Sequence, residues 1–208
     1  MNEWLPTLSL ALGSAWTSGI NLYATVSVLG LLQKFGATHL PGGLDALDNW
    51  WIIGIAGTLY AIEFFADKIP YLDSVWDVIH TFIRVPAGAV VAYAATNQMD
   101  AGVSTAATLL GGGLALSSHG TKAALRAGAN LSPEPVSNWV LSIVEDIVAF
   151  VGTFLAVFAP VLIAIVLIIF SIFFVWFLPK VMRAMRKLIT GARALFSGAS
   201  FREVARKS

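Results

Sequence analysis

The stretch "EFFADKIPYLDSVWDVIHTFIRVPAG", Glu63 to Gly88, sets eight ionisable side chains, Tyr71 included, among tryptophans, phenylalanines and isoleucines. Glu63 and Asp67 stand one helical turn apart. Asp73, Asp77, His80 and Arg84 follow at spacings that bring all four onto one narrow stripe of a helix, with Val75, Val78, Ile79, Phe82 and Ile83 on the other side. His119, Lys122, Arg126 and Asn130 form a second polar face, and Asn138, Ser142 and Glu145 a third, with Asp146 beside it. Acids and bases laid out this way can pair with one another, hold protons or bind a charged solute. His80 and His119 add groups whose charge changes near neutral pH.

The rest of the chain is nearly free of charge. Of 208 residues 57% are hydrophobic and 12% charged, about half the charged share of an ordinary soluble domain. A helix needs about 20 largely apolar residues to cross a bilayer, and the uncharged run from Trp4 to Gln33 suffices alone. The run from Trp139 to Leu178 would be about 60 Å long as one helix, roughly twice the hydrocarbon thickness, so two helices broken at Pro160 fit better. The pattern therefore predicts an all-α, polytopic transmembrane bundle of about six spans, over 8–32, 50–66, 75–96, 102–126, 137–158 and 160–178. A transmembrane domain over 1–179 is followed by a basic amphipathic tail over 180–208. The start, "MNEWLP", lacks the positive region of a secretory signal, so the first helix is expected to stay.

With six spans both termini share a side. Placing them in the cytoplasm puts twelve of the thirteen basic residues inside and leaves only Lys34 outside, as the positive-inside rule favours. The expected location is a bacterial inner membrane. The tail carries Val181, Met185, Leu188, Ala192 and Phe196 on one face against Lys180, Arg183, Lys187 and Arg193, a pattern suited to an anionic lipid surface rather than to nucleic acid.

The halves echo each other. "TSGINLYAT" and "NWWIIGIAG" with Glu63 in the first answer "SSHGTKAALR" and "SNWVLSIVEDIV" with Glu145 in the second, pairing Asn21 with Lys122. Three helices per half would make these inverted repeats, over 8–96 and 102–178, as in many secondary transporters.

Ionised groups at membrane depth cost several kcal/mol or more unless paired or hydrated. Six acids (Glu63, Asp67, Asp73, Asp77, Glu145, Asp146) face four fixed bases (Lys68, Arg84, Lys122, Arg126), which leaves a surplus for protons, a cation or a substrate. Asp73, Asp77 and His80 could ligate a divalent metal with Glu63 or Glu145, but Arg84 opposes a cation and no metal motif is present, so no metal or other cofactor is expected. The absence of cysteine excludes disulfides and thiolate chemistry. "LLGGGLALSSHGTK" lacks the order of a phosphate-binding loop, and no Gly-x-Ser-x-Gly elbow occurs. An enzyme is not expected.

Together "EFFADKIPYLDSVWDVIHTFIRVPAGA", "SSHGTKAALRAGANLSPEPVSN" and "SIVEDIVAF" resemble the signature blocks of a bacterial integral-membrane family catalogued as domain of unknown function 4126. That resemblance implies membrane location and one compact domain, and brings no activity with it. The expected function is a small secondary transporter or permease for a charged solute or lipid phosphate, coupled to protons through Glu63 and Glu145. Its site would comprise Asn21, Glu63, Asp67, Asp73, Asp77, His80, Arg84, His119, Lys122, Arg126, Asn138, Glu145 and Asp146. The alternative is a non-catalytic scaffold whose tail binds lipid or a partner. Membrane lipids, the solute or headgroup, and a second copy of the chain are the expected partners, and nucleic acid is not.

Overall fold

The computed structural model describes residues 4–69, 72–130 and 136–196. Six α-helices make up almost all of it: α1 (Trp4–Lys34), α2 (Trp50–Ala66), α3 (Leu72–Thr96), α4 (Ala101–Ala129), α5 (Val136–Phe158) and α6 (Pro160–Phe196), with a 3-10 helix over Gly42–Asp48 before α2. No strand occurs among the described residues. Local chemistry sets the helix ends. The Asn49 side chain caps α2 by accepting from Trp51 N at 2.8 Å, and Asp100 caps α4 by accepting from Gly102 N at 2.9 Å. Pro160 occupies the first position of α6, where its missing N–H costs nothing, so the expected break lies at this proline.

Among the described residues, four helices are long and apolar enough to cross a membrane, within Trp4–Lys34, Val75–Thr96, Val136–Phe158 and Pro160–Lys187. Apolar α2 has 17 residues, and α4, at 29, is rich in Gly, Ala, Ser and Thr. The outer face is the apolar one. On α3, Val75, Val78, Ile79, Phe82 and Ile83 are all exposed, as expected of the side facing away from the polar stripe. Lipid rather than water suits such a surface.

The described chain forms two compact units, residues 1–167 and 168–208. Helix α6 continues through Pro179, so no helix end falls at the expected 179/180 boundary. In the second unit Lys180 lies over the Trp176 ring, 3.0 Å from its centroid, and Met182, Met185 and Ile189 are exposed. The expected tail positions Leu188, Ala192 and Phe196 have side chains outside the description, as are residues 197–208.

In the first unit, cross-helix pairs settle the direction of each element. Thr153 Oγ1 donates to Thr17 Oγ1 at 3.3 Å, and Asn21 Nδ2 donates to Asp146 Oδ1 at 3.1 Å, so the first part of α1 runs antiparallel to α5. Tyr60 meets Phe150 with ring centroids 5.5 Å apart, and Lys68 Nζ reaches Ser142 Oγ at 3.3 Å, so α2 is antiparallel to α5 as well. Residues 4–20 therefore point the same way as α2. Beyond Asn21 the order reverses: Gly30 packs against Ile53, and Phe35 meets Trp50 with ring centroids 6.2 Å apart. Residues 22–34 run back along α2.

Helix α1 is thus a helical hairpin with its tip at Asn21, whose φ of −146° and ψ of 99° are extended rather than helical. The sequence predicts an unbroken helix over 8–32, and Asn21 interrupts it. Asn21 Oδ1 accepts from Ala24 N at 2.9 Å, capping a new helix start in the middle of the apolar run. Both ends of the hairpin come to one face of the unit, where Thr7 and Leu10 line a hollow together with Thr38, His39 and Pro41. Helix α4, the expected equivalent of α1 in the second half, runs from Ala101 to Ala129 without such an interruption, so the two halves are not alike at this element.

Small residues let α1, α3 and α4 come close. At Gly88 a Cβ would lie 2.4 Å from Ala115 Cβ, and at Gly111 one would lie 2.5 Å from Ala92 Cβ. This contact holds together the two helices that carry most of the bases.

Candidate functional site

The polar stripes meet. Glu63 and Asp67 end α2, Asp73 and Asp77 begin α3, Lys122 and Arg126 lie near the end of α4, and Asn138, Glu145 and Asp146 lie in the first half of α5. Those stretches adjoin the α2–α3 and α4–α5 connections and share one end of the unit. The hairpin tip reaches the cluster from the opposite face. All thirteen residues expected at the site are buried, Arg84, Arg126, Glu63 and Asp73 completely.

Three bases organise the cluster. Arg84 pairs with Glu63 through Nη2, and its Nη1 lies 3.8 Å from Asp77 Oδ1. Lys122 Nζ donates to Glu63 Oε1 and Asp67 Oδ2, each at 3.1 Å, with Glu145 Oε2 at 3.5 Å and Asp77 Oδ1 at 3.8 Å. Arg126 clamps Glu145, its Nε 3.2 and 3.1 Å from the two carboxylate oxygens, and donates through Nη2 to Asp67 Oδ2 at 2.9 Å. Its Nη1 donates to the Asp67 carbonyl at 2.8 Å and lies 3.6 Å from Asp73 Oδ2. Planar guanidinium groups suit such forked recognition of carboxylates.

The break in α1 supplies further acceptors. Without a continuous helix, the carbonyls before Asn21 lose their usual N–H partners. Arg84 Nη1 donates to Ile20 O at 3.0 Å, and Lys122 Nζ reaches the same carbonyl at 3.3 Å. Gly19 permits this approach, because a Cβ there would lie 2.3 Å from the Ala115 carbonyl. Non-helical backbone in an apolar interior is tolerated where the protein supplies partners for the released carbonyls, and here Arg84 and Lys122 do so.

The histidines lie at the margin. Arg84 can only donate, so at 3.2 Å His119 Nδ1 must accept from Nη1, leaving Nε2–H to donate to the Asp77 carbonyl at 3.0 Å. His80 Nδ1 faces the Trp76 carbonyl at 2.7 Å, so it carries the hydrogen, and Nε2 is hydrogen-bonded with Tyr23 Oη at 2.9 Å. The contacts of His119 are thereby those of a neutral imidazole, while the hydroxyl beside His80 suits either of its charge states. His80 has both nitrogens engaged and does not converge with Asp73 and Asp77 as a ligand set would require. Asn138 joins indirectly: it donates to Asn130 Oδ1 at 2.5 Å, and Asn130 donates to both oxygens of Asp73 at 3.1 Å.

Sequence reasoning missed Tyr23, Thr81, the Ile20 carbonyl and the pairing of Lys68 with Ser142. Thr81 Oγ1 lies 2.8 Å from His119 Nε2. Of these, the break alone left a sequence signal: a Gly-Ile-Asn tripeptide inside an uncharged run.

Apolar helices wrapped around a buried cluster of carboxylates, guanidinium groups and an ammonium define a helical membrane protein with an ionisable interior. The chain belongs to the family described as "Domain of unknown function (DUF4126)", which matches residues 8–180. No curated protein and no solved structure gives a significant match.

Proposed function

We propose that this protein is a small proton-coupled permease of the bacterial inner membrane, carrying a charged solute or lipid phosphate through the site around the α1 break. The observation behind it is the interrupted α1, which turns main-chain carbonyls onto Arg84 and Lys122 amid an excess of carboxylates. A purely structural ion-pair lock has no use for that excess or for a helix that stops halfway, whereas a site that exchanges ions needs both. Arg84, Lys122 and Arg126 would neutralise an anion, and the surplus acids would take up protons.

In the membrane, α2 to α5 cross and α1 enters and returns on one face. This replaces a six-span layout with both termini inside by one in which residue 4 and the α2–α3 connection lie on opposite faces. The positive-inside rule favours the cytoplasm for the basic tail. Inverted repeats would then be confined to elements other than α1 and α4.

Uptake into proteoliposomes under an imposed pH gradient tests the proposal. Gradient-driven accumulation of at least one anion, cation or phospholipid headgroup is expected, and flat uptake across a broad panel of all three would sink it. The scaffold reading draws on the exposed apolar and basic residues of the second unit. It predicts that partners captured by the intact protein are lost on truncation after residue 179.

A further inference from the structure

The six buried carboxylates are not equivalent. Four have charged or repeated donors: Glu63 has Arg84 and Lys122, Asp67 has Lys122 and Arg126, Glu145 has Arg126, and Asp73 has the Asn130 amide on both oxygens with Arg126 in ion-pair range. Asp77 differs. It is 2% exposed, and neither of its carboxylate oxygens receives a hydrogen bond among the described residues. The nearest cations, Arg84 and Lys122, stand at 3.8 Å, too far for a hydrogen bond and committed to other acceptors. Asp146 differs too: it makes no ion pair among the described residues, accepts only from the neutral Asn21 amide, and leaves Oδ2 without a donor.

An ionised carboxylate in an apolar interior without donors is costly, and taking up a proton removes that cost. Charge balance leads to the same pair. With all six acids ionised, the four bases Lys68, Arg84, Lys122 and Arg126 leave two negative charges uncompensated. Two protons make the cluster neutral, and among the described residues the places for them are Asp77, whose carboxylate accepts no hydrogen bond, and Asp146, which accepts only one, from a neutral amide.

We infer that Asp77 and Asp146 are the proton-binding groups of this protein, and that Glu63, Asp67, Asp73 and Glu145 are fixed counter-ions. The groups facing Asp77 are Asp67 just beyond α2, Arg84 on its own helix, and His119, Lys122 and Arg126 from α4. Asp146 faces Asn21 from α1, Tyr60 and Glu63 from α2, Asp67 and Lys68 just beyond it, and Lys122 from α4. Asp77 sits beside the bases that hold the Ile20 carbonyl, and Asp146 is bonded to Asn21 itself. Both proton sites thus flank the hairpin tip, so a change in their protonation acts on the break. This inference leans on the permease reading for the use made of the protons, and not for where they bind.

Infrared spectra of the full chain in liposomes test it, by way of the carbonyl-stretch band of protonated carboxylic acids. At neutral pH the band is expected in the unaltered protein and is expected to fade as the pH is raised. Asp77→Asn and Asp146→Asn should each remove one component, and the double substitution both, whereas Glu63→Gln and Glu145→Gln should leave the band in place. A band of undiminished area in the double variant overturns the inference, as does its absence from the unaltered protein. Asn mimics the protonated acid in shape and charge, so failure of all three Asn variants to fold would overturn it as well. A band assigned to Asp77 and Asp146 without any uptake would refute the permease and leave the proton sites standing.

Discussion

Arg84 Nη1 lies 3.0 Å from the main-chain carbonyl of Ile20, so a guanidinium from α3 closes the gap left where α1 stops being a helix. The same side chain pairs with Glu63, and a single residue therefore joins α1, α2 and α3.

Replacing Arg84 by Met should destabilise the protein by about 3–5 kcal/mol, because the buried Glu63 and the Ile20 carbonyl lose one of their two donors and keep only Lys122. Adding Glu63→Gln should recover part of that loss, since the under-compensated charge disappears. Chemical unfolding in detergent micelles, arranged as a double-mutant cycle, measures the coupling. Strictly additive costs would mean that the pair does not act as a pair.

Asn21→Ala removes the cap of residues 22–34 and the bond to Asp146, and should cost about 1–2 kcal/mol. Asn21→Ser keeps a capping oxygen but not the amide donor, so it should retain part of the stability in the same unfolding assay. Equal stability of Ala, Ser and Asn at this position would contradict a capped break.

The hairpin has a direct topological consequence. The chain has no cysteine, so single cysteines introduced at Trp4 and Ala37, both exposed, report sidedness without background. Both should react with a membrane-impermeant maleimide from the same face, and a cysteine at the exposed Gly128, near the end of α4, from the other. Labelling of positions 4 and 37 from opposite faces would show that α1 crosses.

Gly88→Val forces a branched side chain into the space held by Ala115 and should cost about 1–3 kcal/mol or more, as overpacking does. Gly57→Ala is the control: nothing lies near an added Cβ there, and replacing Gly by Ala inside a helix is mildly favourable. A melting temperature for Gly88→Val equal to that of the control would refute close packing of α3 on α4.

Much of this was legible in the chain itself. Helical spacing alone puts Asp73, Asp77, His80 and Arg84 on one face, and the structure has that face buried while Val78 and Phe82 on the other are exposed. Such periodicity is visible because lipid and interior impose opposite demands on the two sides of a helix. The break at Pro160 was legible too, since proline acts through its own ring.

What only the tertiary structure decided is the fate of α1 and the division of labour among the acids. The Gly-Ile-Asn tripeptide marks where the apolar run can be interrupted, and leaves open whether the chain continues or turns back there. Asn21 adopts its extended backbone because Asp146, Arg84 and Lys122, all more than 60 positions away, supply partners for the groups that the break releases. Likewise, six acids look alike in the chain, and become counter-ions or proton sites only through which donors the fold brings within hydrogen-bond reach. Charge and periodicity are local properties of a sequence, whereas the compensation of a buried charge depends on contacts between distant segments.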